Sequence, residues 1–209
     1  MLNNDLSQQI KRNFPYKPTE EQENAVKSFA EFLFSPSADS VFLMKGYAGT
    51  GKTTLISALV RTLDSLQRKV ILLAPTGRAA KVFSGYAGHP AYTIHKKIYR
   101  QKVFSNETDN FVANQNLHRN TLFIVDEASM IANEGLSGGH FGSGRLLDDL
   151  VQYVYNGLGC RLMLIGDTAQ LPPIGEEESP ALSVSALQGY GLEVTECVLT
   201  KVVRQTEGS

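Results

Sequence analysis

The chain has 209 residues, 20 Lys and Arg against 21 Asp and Glu, a formal net charge of −1, and 42% hydrophobic and 20% charged residues. That is enough length for one sizeable α/β domain with some elaboration and short for two, with ordinary values for a globular chain whose core needs no staples. The near-zero net charge excludes an overall electrostatic pull toward nucleic acid.

Charge is nevertheless uneven along the chain. No acidic residue falls between Asp64 and Glu107, whereas Arg68, Lys69, Arg78, Lys81, Lys96, Lys97, Arg100 and Lys102 all do. A neutral chain with such an interval is expected to carry one strongly basic face. The N-terminus, MLNNDLSQQIKRNF, has no apolar stretch of signal-peptide length, and no run approaches a membrane span. Cys160 and Cys197 lie in apolar runs that read as strands and are expected as buried free thiols. Those features point to a reducing, cytoplasmic compartment.

In chain order, a short helix is expected from Leu6 to Asn13, stopped by Pro15 and Pro18. TEEQENAVKSFAEFLF opens with Thr19 and Gln22 at capping-box spacing and sets Ala25, Val26, Phe29, Phe32 and Leu33 on one helical face. Gln22 has two readings, a reciprocal cap or a reader of an adenine edge beside Phe14 and Tyr16. VFLMK then reads as a strand, followed by GYAGTGKTT and the amphipathic LISALVRTL. A strand, a glycine-rich turn matching G-x-x-x-x-G-K-[ST] and a helix start make a phosphate-binding loop. Gly46, Ala48, Gly49, Thr50, Gly51, Lys52, Thr53 and Thr54 form the expected cradle. Lys52 would reach the β- and γ-phosphates and Thr53 would hold Mg²⁺.

KVILLA is a continuous apolar strand of the kind buried on both faces of a parallel sheet, and it ends in PTGRAAKVFS, where Thr76 can cap a helix. Ligands bind at the carboxyl ends of such strands, so Thr76, Gly77 and Arg78 are placed to touch one. Tyr92 to Lys102 reads as a short basic helix with interleaved aromatics. KVFS and FVANQ, flanking NETDN, read as a hairpin that either covers a sheet edge or projects toward nucleic acid. TLFIVDEASM ends a strand in Asp126 and Glu127, the arrangement that supplies a second Mg²⁺ ligand and a carboxylate to polarise the attacking water. GLSGGHFGSG reads as a connector, RLLDDLVQYVY as an amphipathic helix, and CRLMLIGDTAQLPP as another strand with Asp167 and Gln170 at its end. A short helix at Pro180–Leu187 and a last strand in LEVTECVLTKVVRQ, followed by Arg204, complete the chain. A GTPase reading lacks any N-K-x-D guanine-reading motif.

Taken in order over roughly residues 18 to 206, these segments resemble the RecD-type branch of superfamily 1 DNA helicases, the exonuclease V alpha-subunit-like ATPases. TEEQENAV is similar to the glutamine motif, GYAGTGKTT to motif I, LLAPTGRAAKV to motif Ia, YTIHK to the Thr-Ile-His element, FIVDEASM to motif II, GDTAQLPP to motif III and LTKVVRQ to the arginine-bearing motif IV. The resemblance implies a RecA-like P-loop NTPase domain over residues 19–209, with a mostly parallel central sheet flanked by helices. Residues 1–18 would form an N-terminal extension, and a small β-hairpin would be inserted at about 100–117 where the family carries its strand-separating pin. It further implies ATP and Mg²⁺ as cofactors, with Gln22 on adenine and Lys52, Thr53, Asp126 and Glu127 in the roles above. Gln170 would sense the γ-phosphate, and Arg204 would act as an arginine finger. Thr76, Gly77, Arg78, Thr93 and His95 would lie along single-stranded DNA, with Lys96 in the same basic stretch, and movement would run 5′ to 3′. The second RecA-like domain that closes the site in this family is expected to be absent from this chain, which by itself would bind nucleotide weakly and not unwind DNA. A P-loop module that binds ATP and DNA without being a motor is the alternative reading.

Overall fold

The computed structural model describes residues 2–101, 111–133 and 142–203. The hairpin tip, most of the glycine-rich connector and Arg204 lie outside the described residues.

The frame is a six-stranded sheet in the order β3-β2-β6-β7-β1-β8, built from β1 (Ser40–Gly46), β2 (Lys69–Ala74), β3 (Ala91–Thr93), β6 (Thr121–Val125), β7 (Arg161–Gly166) and β8 (Glu193–Leu199). Every neighbouring pair is parallel. Parallel pairing puts all six carboxyl ends on one edge. Register aligns the strands that matter: Lys45 sits opposite Gly166, Gly46 opposite Leu199 and Val125 opposite Leu164.

Alternation along the strands builds two cores. On β1, Phe42 and Met44 face one side with Leu72, Ile124, Met163 and Ile165 of the neighbouring strands, beneath α1 (Leu2–Arg12), α2 (Glu20–Leu33), α3 (Lys52–Ser65) and α4 (Gly77–Ala87). Val41 and Leu43 face the other side with Leu73, Phe123, Val125, Leu162 and Leu164, beneath α5 (Ile94–Ile98), α6 (Leu146–Tyr155) and α7 (Val184–Gln188). Both faces being covered is why the central strands read as unbroken apolar runs. Phe29, Phe32 and Phe42 pack with ring centroids 5.5–6.0 Å apart. Truncating any one of the three to Ala would cost about 3–5 kcal/mol.

Several boundaries differ from expectation. The first helix begins at Leu2, four residues early, and buries Leu6 and Ile10 on the core. The basic helix expected over Tyr92–Lys102 shrinks to Ile94–Ile98, because Thr93 caps its start and Tyr99–Gln101 leaves it to pair as β4 with β5 (Phe111–Ala113). Cross-strand pairing and burial of Tyr99 outweigh the local helical pattern there. The hairpin arms are therefore Tyr99–Gln101 and Phe111–Ala113, and the expected arm KVFS falls outside the described residues. Its base is anchored by the Tyr99 hydroxyl, which donates to buried Asp149 at 2.6 Å. Cys160 is buried as expected, at the entry to β7, but Cys197 on edge strand β8 is only half-buried. Among the described residues no helix is long and apolar enough to cross a membrane.

Candidate nucleotide site and nucleic-acid face

The edge formed by the strand ends holds a cleft of about 650 Å³, within the range of small-molecule sites. Its floor is the turn after β1. Gly49 and Gly51 adopt φ of +78° and +81°, and a Cβ on Gly51 would come within 2.3 Å of the Gln22 amide nitrogen, so only glycine fits there. Gly46 is tight for a different reason: a Cβ would meet Thr50 Oγ1 at 2.9 Å and Leu199 Cβ at 3.1 Å. Thr50 Oγ1 donates to the Tyr47 carbonyl at 2.7 Å, closing the turn from inside.

Lys52 starts α3, and its ammonium donates to the carbonyls of Gly46 (2.6 Å) and Tyr47 (2.9 Å), which holds Nζ over the loop. Burial lowers its pKa below the usual lysine value, while the carboxylates of Asp167, Asp126 and Glu127 pull it upward. Thr53 and Thr54 follow in the first turn of α3 and line the cleft.

Asp126 and Glu127 enter from the end of β6. Glu127 has φ +54° and ψ +37°, a left-handed conformation unusual for a residue with a side chain, and its N–H donates to Asp126 Oδ1 at 2.8 Å. Holding a non-glycine residue there costs about 1 kcal/mol or more, the kind of strain found at functional sites. Asp126 Oδ2 accepts from the Tyr86 hydroxyl of α4 at 2.5 Å. Burial, and after it the charge of Asp126 and this contact, raises the Tyr86 pKa, so the phenol stays a donor.

Gly166, Asp167 and Gln170 come from the end of β7. Gln170 Oε1 accepts from the buried Ser129 hydroxyl at 2.8 Å, which joins the turn after the Asp-Glu pair to the turn after β7. Asp167 lines the cleft as a third carboxylate.

Gln22 is fully buried and satisfies the cap reading completely. Its Oε1 accepts from the Thr19 N–H, its own N–H donates to Thr19 Oγ1, and Nε2 donates to the Gly51 carbonyl and the Tyr16 hydroxyl, both at 3.3 Å. It braces the phosphate loop from behind, and Tyr16, not Gln22, lines the cleft. Sequence reasoning missed Tyr86, Ser129 and Glu21. Tyr86 and Ser129 lie in or beside matched motif segments, but only their hydrogen bonds reveal a role.

The residues read as a nucleic-acid face gather at the same edge, next to the cleft. Thr76 and Thr93 cap α4 and α5 through their side-chain oxygens, accepting from Ala79 and Lys96 N–H at 3.1 and 3.2 Å. Gly77, Arg78 and Lys96 are exposed or half-buried, and His95 is half-buried with its pKa lowered by burial. Lys96 and Lys97 lie over the Tyr92 ring, 5.8 Å from its centroid. The single basic face expected from the acid-free interval is split. Arg68 and Lys69 sit at the amino end of β2, with Arg68 over the Phe34 ring, while Arg78 and Lys96 sit past the carboxyl ends of β2 and β3. A six-residue strand separates the two groups by about 20 Å.

A sequence profile of the family described as AAA domain (AAA_30) matches residues 17–209. The chain is 31% identical over 146 residues to the ATP-dependent RecD2 DNA helicase of Deinococcus radiodurans, covering 69% of this chain and 18% of that protein. It is 30% identical over 139 residues to the ATP-dependent DNA helicase Pif1 of Bdellovibrio bacteriovorus, covering 66% of this chain and 30% of that one. The crystal structure of Pif1 helicase from Candida albicans shares the fold, with a TM-score of 0.54 at 20% identity over 92% of this chain and 42% of that chain. The chain spans 34%, 13% and 18% of the length of three curated relatives it matches. Because the profile runs across the phosphate loop and every strand end that lines the cleft, the chain belongs to this AAA-domain family and has its RecA-like α/β fold.

Proposed function

We propose that this chain is the ATP-hydrolysing motor domain of an ATP-dependent DNA helicase that moves 5′ to 3′ on single-stranded DNA. The observation that carries this reading is the convergence of Lys52, Asp126, Glu127 and Gln170, from the ends of three parallel strands, on one cleft floored by the phosphate loop.

In this reading residues 19–209 form the first RecA-like domain, and a second RecA-like domain supplies the opposite wall of the cleft. The turn N–H groups and Lys52 hold the β- and γ-phosphates. Thr53 and Asp126 suit Mg²⁺, since both offer hard oxygen ligands on the same wall of the cleft. Held by these residues, the ion would supply positive charge to offset that of the phosphates. Glu127 accepts a proton as water attacks the γ-phosphorus, ADP departs, and Arg204 balances the developing charge. Gln170 senses the γ-phosphate, and its bond to Ser129 carries that state to the turn that holds Glu127. DNA lies along Thr76, Gly77, Arg78, Thr93, His95 and Lys96, and the hairpin rooted at β4 and β5 serves as the strand-separating pin. The Tyr86–Asp126 hydrogen bond supports coupling between that face and the hydrolytic site, because α4 contributes to both.

The test is magnesium-dependent ATP binding and turnover by the purified chain, with and without single-stranded oligonucleotide, beside Lys52→Ala and Glu127→Gln. The proposal expects binding that Lys52→Ala abolishes, and DNA-stimulated turnover, slow in the single domain, that Glu127→Gln abolishes. Nucleotide binding that survives Lys52→Ala would refute it.

A further inference from the structure

Beyond the cleft, one carboxylate ties the two ends of the described chain together. Glu21, in the first turn of α2, accepts through Oε2 from the N–H groups of Thr200 (2.8 Å) and Lys201 (2.9 Å) and through Oε1 from the Thr200 hydroxyl (2.6 Å). The backbone bond to Lys201 and the hydroxyl bond to Thr200 hold its pKa below the usual carboxylate range, so the acceptor stays ionised at neutral pH.

What it holds is the segment that crosses the phosphate loop. Strand β8 ends at Leu199, so residues 200–203 receive no support from the sheet ladder. Their placement rests on Glu21 at one end and, at the other, on the Val203 N–H, which donates to the Gly49 carbonyl at 2.9 Å. Val203 lines the cleft, and its side chain is 3.0 Å from where a Gly51 Cβ would stand. The Thr50 N–H, on the other side of the same trans peptide, donates to the Tyr47 carbonyl at 3.4 Å, so the Gly49–Thr50 peptide plane is held from both sides, once within the turn and once by Val203. A phosphate cradle depends on the peptide planes of its turn being fixed in this way.

We propose that Glu21 is a positioning residue for the nucleotide site: by gripping Thr200 and Lys201 it seats residues 200–203 across the phosphate loop, and nucleotide affinity depends on this contact made outside the cleft. The inference rests on the ATP-binding reading above, and it assigns to the N-terminal end of α2 a role separate from the loop bracing done by Gln22.

The test combines two measurements on the 209-residue chain: affinity for a fluorescent ATP analogue with Mg²⁺, and amide hydrogen exchange across residues 200–203. Glu21→Ala is expected to raise exchange in that segment and to weaken nucleotide affinity roughly fivefold. Glu21→Gln should restore most of the affinity, because its carbonyl oxygen still accepts from the segment. Thr200→Val removes a single hydrogen bond and should produce a smaller loss in the same direction, which keeps the test open should Glu21→Ala not fold. Unchanged affinity in Glu21→Ala with faster exchange would overturn the proposal and leave a merely local tether. Unchanged exchange would overturn it as well. A wild-type chain that binds no nucleotide, or binds it equally with Lys52→Ala, would instead remove the ATP-binding reading and this inference with it.

Discussion

The Tyr86 hydroxyl donates to Asp126 Oδ2 at 2.5 Å, linking the helix that begins at Gly77 to a carboxylate of the nucleotide cleft. Hydrogen bonds to ionised acceptors are short and contribute about 1.5–3 kcal/mol. Tyr86→Phe removes the donor and keeps the ring, which packs on Phe83 at 5.2 Å. The variant should lose about 1–2 kcal/mol in urea unfolding. It should also need several-fold more Mg²⁺ for half-maximal nucleotide binding, since among the described residues the Asp126 carboxylate is then held only by the Glu127 N–H. A metal titration unchanged from wild type would confine Tyr86 to packing.

Lys52 gives a pH prediction whose sign follows from its surroundings. Burial lowers its folded pKa below 10.5, so as pH rises the folded chain releases that proton before the unfolded chain does. Between the two values the unfolded state holds more protons, and stability without nucleotide should rise with pH in that alkaline window. Half exposure of the side chain keeps the effect small. Carbon-13 NMR of methylated lysines should show Lys52 titrating below 10.5 in the free chain, and its midpoint should move upward once ATP is added.

Gln22→Ala tests a buried amide with every hydrogen bond supplied by the protein. It removes half of a capping box and the brace on Gly51, and should cost about 2 kcal/mol in chemical denaturation. Gly51→Ala should cost at least as much, through left-handed backbone strain of about 1–3 kcal/mol and overlap with the Gln22 amide. A Gln22→Ala chain as stable as wild type, with selectivity for adenine over guanine nucleotides lost, would shift the role of Gln22 to base recognition.

The division of the basic interval separates cations on the proposed DNA face from those at the other end of β2. Arg78→Ala and Lys96→Ala should each weaken single-strand binding and reduce the slope of log affinity against log salt by about 0.7 for every phosphate left without its cation. Arg68→Ala, at the opposite end of β2 and stacked on Phe34, should leave the slope unchanged. Fluorescence anisotropy across a salt series distinguishes the two groups, and equal slopes for all three variants would place the DNA elsewhere.

Much of this was legible in the chain itself, because the physics involved is local. The P-loop needs glycines at positive φ followed by Lys and Thr at a helix start, and that pattern is written in nine consecutive residues, Gly46 to Thr54. Unbroken apolar strands ending in Asp126-Glu127 and Asp167 announce a parallel sheet covered on both faces and acids at its carboxyl edge. The capping box at Thr19 and Gln22 was readable from spacing alone.

Tertiary structure decided what depends on contacts between distant segments. Tyr99–Gln101 is a strand and not the end of a helix, because Phe111–Ala113 offers a partner ladder and the core offers Tyr99 a buried place, and neither is visible within a window of neighbouring residues. The acid-free interval could not become one basic face, since a strand carries its two ends to opposite edges of the sheet. Tyr86 on Asp126, Ser129 on Gln170 and Glu21 on Thr200 join residues 40, 41 and 179 positions apart. Sequence determined which chemistry the chain can hold; the parallel stacking of six strands decided which side chains meet, because only a folded sheet brings their carboxyl ends to a common edge.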